Sequence, residues 1–242
     1  MITKAVVLAA GRGTRLGALT ERTPKALIEV AGVPLIGHVL GGLQRAGIED
    51  VTVVTGYLGQ AIEAEIGTGA QSGMRITYVR QEKLEGTAAA VALARDHAEG
   101  EAFFVGWGDI LVRPENYRRV ISAARFANGS LAVNDTDDPW AGAAVHVDEA
   151  MHVTRIIEKP PKGTSTTRWN NAGLCVLPPA IWEEIDRLKA SVRGEYELPE
   201  AVAALVAAGA VMRAVPIEGP WFDIGAPDDL DRARREWEGR PD

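Results

Sequence analysis

The stretch Lys4–Val30, KAVVLAAGRGTRLGALTERTPKALIEV, decides how this chain is read. Lys4 to Ala9 is a nearly unbroken apolar run, as expected of a strand buried on both faces. The run gives way to a loop holding Gly11, Gly13 and Gly17 beside four cations, Arg12, Arg15, Arg22 and Lys25. Glycine lets backbone N–H groups turn toward a ligand with no Cβ in the way. Guanidinium and ammonium groups add the charge that phosphate oxygens seek. The chain as a whole carries a net charge of -7, so a positive loop is out of character with its surroundings. It reads as a cradle for a polyphosphate.

Outward from the loop, strand and helix patterns alternate. Residues 26–30 form a short extended piece. Pro34 then opens a helix with the stripe Ile36, Val39, Leu40 and Leu43, ended by Gly47. Strands are predicted at Asp50–Thr55, Ile76–Val79 and Ala102–Val105, with helices at Leu58–Ile66 and Thr87–His97 between them. This alternation predicts an α/β fold with a doubly wound, Rossmann-like, mostly parallel sheet. Such sheets bind ligands past the carboxyl ends of their strands. Gly11, Gln81 and Asp109 each follow a predicted strand, so they should meet on one edge.

The pattern changes after a helix at 115–127. Short strand patterns at Ser130–Asn134, Ala143–Val147, His152–Glu158 and Asn171–Leu177 predict a smaller antiparallel lobe, continuous with the first sheet. Helices are expected at Pro179–Leu188 and Pro199–Ala208, a strand at Val211–Pro216, and a last helix at Pro227–Trp237. That helix has Asp228 and Asp229 at its start and arginines later, which complements its dipole. Residues 1–242 read as one domain with two halves, 1–110 and 111–242; the final four, Gly239–Asp242, are expected to fray. No β-helical extension is expected after the last helix.

Composition narrows the class. With 46% hydrophobic and 24% charged residues, the chain is of globular type. Its negative charge argues against nucleic acid as a partner, because backbone binding needs a basic face. No apolar run is long enough for a membrane span, and no leader pattern precedes the first strand. The single cysteine, Cys175, can form no internal disulfide and suits a reducing compartment, so the cytoplasm is the expected location. The four histidines show no ligand spacing and read as packing or surface residues.

Three glycine-rich phosphate motifs can be compared with the loop. A Walker loop needs Gly-Lys-Ser/Thr, which occurs nowhere in the chain. A dinucleotide fingerprint needs a third glycine where Leu16 stands, with Gly17 one residue late. The third matches: Gly11-x-Gly13-Thr14-Arg15-Leu16, then Leu19-Thr20, Pro24-Lys25 and Leu27, resembles the signature of the sugar-phosphate nucleotidyltransferases. That family joins an NTP to a sugar 1-phosphate and releases pyrophosphate, on a fold like that of GT-A enzymes.

The resemblance implies roles for further residues. Asp109 in Trp107-Gly108-Asp109 and Asp223 in Trp221-Phe222-Asp223-Ile224-Gly225 resemble the two metal-binding aspartates. Each alone would read as a turn acid. Together they imply Mg²⁺, which takes one or two carboxylates plus substrate phosphates and water. Gln81 followed by Gly86-Thr87-Ala88 resembles the base-recognition segment, although Thr87 would equally suit a helix N-cap. Ala10, Gly11, Gly13, Thr14, Gln81, Gly86 and Thr87 are thus expected on the nucleotide, and Trp107 and Trp221 as walls of the site.

For the second half the resemblance implies a sugar-phosphate site. Glu158-Lys159-Pro160 resembles the EKP motif, Asn171-Ala172-Gly173 the N-(A/S/T)-G motif, and Gly194-Glu195-Tyr196 with Leu198 a G-E-Y-x-L segment. Glu158, Asn171 and Glu195 would meet the sugar and Lys159 its phosphate. Arg15 and Lys25 would be the catalytic cations, on the leaving pyrophosphate and the α-phosphate. Pro199-Glu200 stands where the family usually has Thr-Asp, which leaves the acceptor open. UTP or dTTP is favoured as donor. A guanylyl- or cytidylyltransferase with another acceptor (heptose phosphate, mannose 1-phosphate, phosphocholine) and a non-catalytic sensor of nucleotide sugars are the alternatives. Oligomeric state is not legible in the sequence.

Overall fold

A computed structural model describes residues 2–98 and 100–237, so the expected fraying of 239–242 lies outside the described residues. Strand β1 (Lys4–Ala9) leads through the loop to a small hairpin, β2 (Glu29–Val30) and β3 (Val33–Pro34). Then come α1 (Leu35–Arg45), β4 (Asp50–Thr55), α2 (Gly59–Ile66), β5 (Arg75–Arg80), α3 (Thr87–Ala92), α4 (Arg95–Ala98) and β6 (Phe103–Trp107). The second half opens with β7 (Ile110–Val112), α5 (Glu115–Ala123), β8 (Gly129–Asp135), β9 (Ala143–Val147), β10 (Val153–Glu158) and β11 (Trp169–Leu177). It closes with α6 (Ile181–Arg187), α7 (Leu198–Ala207), β12 (Met212–Pro216), β13 (Trp221–Asp223) and α8 (Pro227–Glu236).

The sheet is mixed. β6, β1, β4 and β5 lie side by side and parallel, and β11 joins β6 antiparallel. Along its other edge β11 pairs with β8, which carries β12 in parallel. β11 also shifts register between Asn171 and Cys175, and β9 with β10 attaches beyond that break through Asn170. Gly173, at φ 81°, makes the break possible; a Cβ there would stand 2.8 Å from Ile110. The sheet therefore runs from the nucleotide half into the antiparallel lobe through one strand.

Strands buried on both faces need helices on both faces. α3, α4, α6 and α7 close one core, in which Phe103 stacks on Trp182 at 4.9 Å. Burying one such ring contributes roughly 2–3 kcal/mol. α1, α2 and α5 close the other, around Phe104 and Tyr117. A third cluster joins Leu16 of the loop to Leu35, Leu111, Phe222, Leu230 and Trp237, and so fastens the loop to β13 and α8. Cys175 is buried in β11, where the loss of water pushes its thiol up to about 12.

Four expectations on elements change. Of the extended piece expected over 26–30, the start belongs to a 3₁₀ turn at Lys25–Leu27 and Glu29–Val30 is the strand. The helix expected over 115–127 is α-helical over Glu115–Ala123 and tightens to a 3₁₀ turn at Ala124–Phe126. The helix predicted over 87–97 is two pieces, because the chain tightens between them: the N–H of Leu93 bonds the Ala90 carbonyl and that of Ala94 bonds Val91, each only three residues back. Pro34 precedes its helix and pairs in β3 with Glu29 instead of opening the first turn.

Candidate active site

Strand register sets the edge on which the site lies. Ala9, Thr55 and Arg80 lie abreast, as do Leu8 and Trp107. Ala10, Gly56, Gln81 and Gly108 therefore leave the sheet together. The chains are close there: a Cβ on Gly56 would lie 2.6 Å from the Ala10 carbonyl, and the Gly108 N–H bonds the Leu8 carbonyl at 2.8 Å.

The phosphate-type loop is built, not loose. Gly13 takes a left-handed conformation, and its carbonyl accepts a hydrogen bond from the Thr20 hydroxyl at 3.0 Å. A Cβ on Gly13 would stand 3.1 Å from Cβ of Lys25, so the glycine lets the two ends of the loop close. Thr14–Thr20 coils as 3₁₀ turns with Leu16 buried, leaving Thr14 and Arg15 exposed. Gly225 leaves room beside the Arg15 guanidinium; a Cβ there would lie 2.8 Å from it and shift the side chain. Gly11 is exposed at the loop's start, and Arg12 stands over the Tyr57 ring at 4.9 Å.

β7 and β13 explain why two distant aspartates meet. Their antiparallel register sets Asp223 opposite Ile110, and the Ile224 N–H bonds the Asp109 carbonyl at 3.2 Å. Lys25 reaches in between: its Nζ is 2.5 Å from Asp109 Oδ2 and 4.0 Å from Asp223 Oδ1. About half of the Asp223 side chain still meets solvent at the open cleft, while protein surrounds the rest. That enclosure, with Asp109's charge added, pushes its carboxyl up to about 6 against the pull of Lys25 and Arg15.

Two hard-oxygen groups that repel one another, set beside a phosphate-type loop, fit the demands of Mg²⁺. Among the described residues no set of three or more His, Cys, Asp or Glu could hold an ion alone. Asp109 and Asp223 thus fit an ion completed by substrate oxygens.

A cleft of about 570 Å³ extends from Arg15, Lys25, Asp109 and Asp223, between Trp107 and Trp221, to Glu158, Lys159 and Asn171. Lys159 is held at φ 42° by the bond from its N–H to the Gly142 carbonyl at 2.7 Å. Such a backbone costs of order 1 kcal/mol or more and is common at binding sites. The Asn171 amide oxygen accepts the Gly173 N–H at 3.0 Å. Glu158 is pushed up to about 7, first by burial and then by Glu197, against Lys159 and Arg193.

Not every expected residue lines this cleft. Glu195 faces Arg193 at 3.4 Å, outside the wall, and Glu197 takes the position on it. Glu197 is buried, and burial raises its carboxyl while the hydrogen bond between the two acids holds Glu195 low. No motif marks Glu197 in the sequence; its one cue is Arg193 four residues before it, in ion-pair spacing. Ala10, Gly11, Gly13, Thr14, Gln81 and Gly86 lie at the sheet edge beside the cleft, not in its wall. Gln81 is buried and its amide N–H donates to the Gly86 carbonyl at 3.2 Å. Thr87 lines the cleft, and it is no N-cap: Gly86 holds that position, and the Thr87 hydroxyl accepts the Leu198 N–H at 2.9 Å.

Residues 4–239 match the nucleotidyl transferase family. The chain belongs to that family. It is 34% identical over 238 residues to the UTP–glucose-1-phosphate uridylyltransferase AglF of Haloferax volcanii, covering 96% of this chain and 95% of AglF. It is 33% identical to a glucose-1-phosphate thymidylyltransferase of Streptomyces griseus over 94% of this chain, but only 64% of that protein's length. It likewise spans 64% of Agl11, the low-salt glycan biosynthesis nucleotidyltransferase of H. volcanii, at 32% identity. A Bacillus anthracis crystal structure, named as a candidate glucose-1-phosphate thymidylyltransferase and solved with a sucrose, superposes with a TM-score of 0.87 at 26% identity, covering 96% of this chain and 94% of that one. A UDP-glucose pyrophosphorylase shares the fold at a TM-score of 0.88 and 20% identity.

Proposed function

We propose that this nucleotidyl transferase moves a nucleotidyl group from an NTP, with UTP or dTTP favoured, to a sugar 1-phosphate. An oxygen of the acceptor phosphate bonds to the α-phosphorus while the bond from that phosphorus to the bridging oxygen breaks. Pyrophosphate leaves with the electron pair. The attacking oxygen is already anionic, so no general base is needed. The work is to bring two anions together and to stabilise charge at the α-phosphoryl and leaving groups.

Lys25, which lies between the two aspartates, carries this reading. Its ammonium is placed to meet the α-phosphate and the incoming oxygen. Arg15 would take the β- and γ-phosphates, and Lys159 the acceptor phosphate. Ala10, Gly11, Gly13 and Thr14 would cradle the triphosphate, with Gln81, Gly86 and Thr87 on the base and sugar. Glu158 and Asn171 would face the acceptor, with Glu195 acting through Arg193. Asp109 and Asp223 would hold Mg²⁺, which when bound supplies a Lewis acid and a template for the phosphates. AglF and the S. griseus enzyme support glucose 1-phosphate as the class of acceptor. Use of free NTP, with a single buried cysteine that suits a reducing compartment, would put the reaction in the cytoplasm.

The test is pyrophosphate release from each of the four common NTPs with a panel of sugar 1-phosphates, with and without Mg²⁺. Release that requires both substrates is expected; none with any pair would refute the transferase reading.

A further inference from the structure

Of the loop's four cations, Arg15 and Lys25 have work in the proposed reaction, and Arg12 and Arg22 have none. Arg12 is exposed and has no carboxylate partner among the described residues, yet it is held in place. Its guanidinium carbon stands 4.9 Å from the centre of the Tyr57 ring. A stack of this kind uses the face of the guanidinium. The N–H donors lie in its plane and stay open to an anion.

Tyr57 is itself fixed from both ends of the loop. It follows Gly56, the glycine that lets the end of β4 lie against Ala10. The Tyr57 N–H bonds the Ala10 carbonyl at 3.3 Å, just before the loop, and its hydroxyl donates to the Glu21 carbonyl at 3.0 Å, near the loop's far end. Leu58 next to it has φ 54°, a left-handed backbone that a leucine seldom takes unless its surroundings hold it there. These ties fix the ring, and the ring aims the cation.

Arg12 and Arg15 flank the loop from opposite sides. Arg12 meets the turn after β4, and Arg15 meets Gly225 in the turn after β13, with Gly13 between the two in sequence. A polyphosphate seated on the loop would meet a cation on each flank. Resting on the transferase reading, we propose that Arg12 is a further binding cation for the pyrophosphate half of the NTP, and that Tyr57 is the residue that positions it. Arg15 then shares the leaving group's charge instead of carrying it alone.

Calorimetry on the whole protein with Mg²⁺ tests this with inorganic pyrophosphate, UTP and dTTP. UMP and dTMP serve as nucleotides that lack the pyrophosphate half. Arg12 is exposed, so Arg12→Met removes the charge without opening a core. It should weaken pyrophosphate and the better-bound triphosphate about tenfold, the worth of one charged contact, and leave the monophosphate within about twofold. Tyr57→Leu should lose severalfold with the same ligands, and Tyr57→Phe, which keeps the ring, should stay near wild type. Added to Arg12→Met, Tyr57→Leu should cost little more, because it acts through the arginine. Unchanged pyrophosphate and triphosphate binding in Arg12→Met, or an equal loss of the monophosphate, overturns this inference alone. A full further loss from Tyr57→Leu in the Arg12→Met background overturns the positioning role. Wild-type protein that binds none of these ligands overturns the transferase reading together with it.

Discussion

The Thr87 hydroxyl accepts the backbone N–H of Leu198 at 2.9 Å, joining the start of α3 to the start of α7 across the cleft's floor. Beside it the Ala88 N–H bonds the Tyr196 carbonyl at 2.8 Å, and the Tyr196 N–H bonds the Glu85 carbonyl at 2.7 Å. The segment resembling a base-recognition motif is therefore stitched to the one holding Glu195 and Glu197.

Gly86 is the weak point of that seam. It sits at φ 105°, and a Cβ would fall 2.4 Å from the Tyr196 carbonyl oxygen. Gly86→Ala must both strain the backbone and push the two segments apart, a loss of about 2–4 kcal/mol. Thermal unfolding should fall by at least roughly 5 °C at this chain length. A midpoint within a degree of wild type would show that the seam yields freely.

Glu158 gives a pH signature in stability. Its carboxyl rises from 4.5 to about 7 on folding, so the folded state holds the proton more tightly than the unfolded one. The stabilising contribution of the protonated form is complete below pH 4.5 and is lost as pH rises through 7. Glu158→Gln, which cannot ionise, should match wild type near pH 4.5 and be the more stable protein at pH 8, by on the order of 3 kcal/mol. Denaturant midpoints at the two pH values check this. Equal midpoints at pH 8 would mean Arg193 and Lys159 neutralise the acid fully.

Lys25 touches both aspartates, so removing it has two effects of different size. Lys25→Met should cost about 10²–10³-fold in turnover, as loss of a charge placed on the transferring group does. Folding should suffer far less, since the two aspartates remain partly open to water. Steady-state kinetics beside thermal unfolding separate the two. A collapse of the fold with the activity would make Lys25 a structural residue.

Much of this architecture was legible. The runs at Lys4–Ala9 and Asp50–Thr55 match β1 and β4 to the residue, because strands buried on both faces are rich in valine and other β-formers, even where Thr52 and Thr55 interrupt the apolar run. Asp223 could be read as standing at a strand end, but β7 and its pairing with β13 were not legible. Three residues carry no period, and their pairing is set by a partner far along the chain. The same limit hid Glu197. In an extended run Glu195 and Glu197 point alike, and only the fold, through Arg193, decides which one reaches the cleft. Arg15, Lys25, Asp109 and Asp223 could be named from motifs, yet their meeting depends on the third core behind Leu16 and Phe222.

In the proposed reaction Asp109, Asp223 and Lys25 act together on substrate phosphates. The most direct measurement is Mg²⁺-dependent pyrophosphate release by wild type and by Asp109→Asn, at matched substrate concentrations. Release that needs Mg²⁺ and falls at least about 10²-fold in the variant is predicted. Near wild-type release by Asp109→Asn in Mg²⁺ would contradict it.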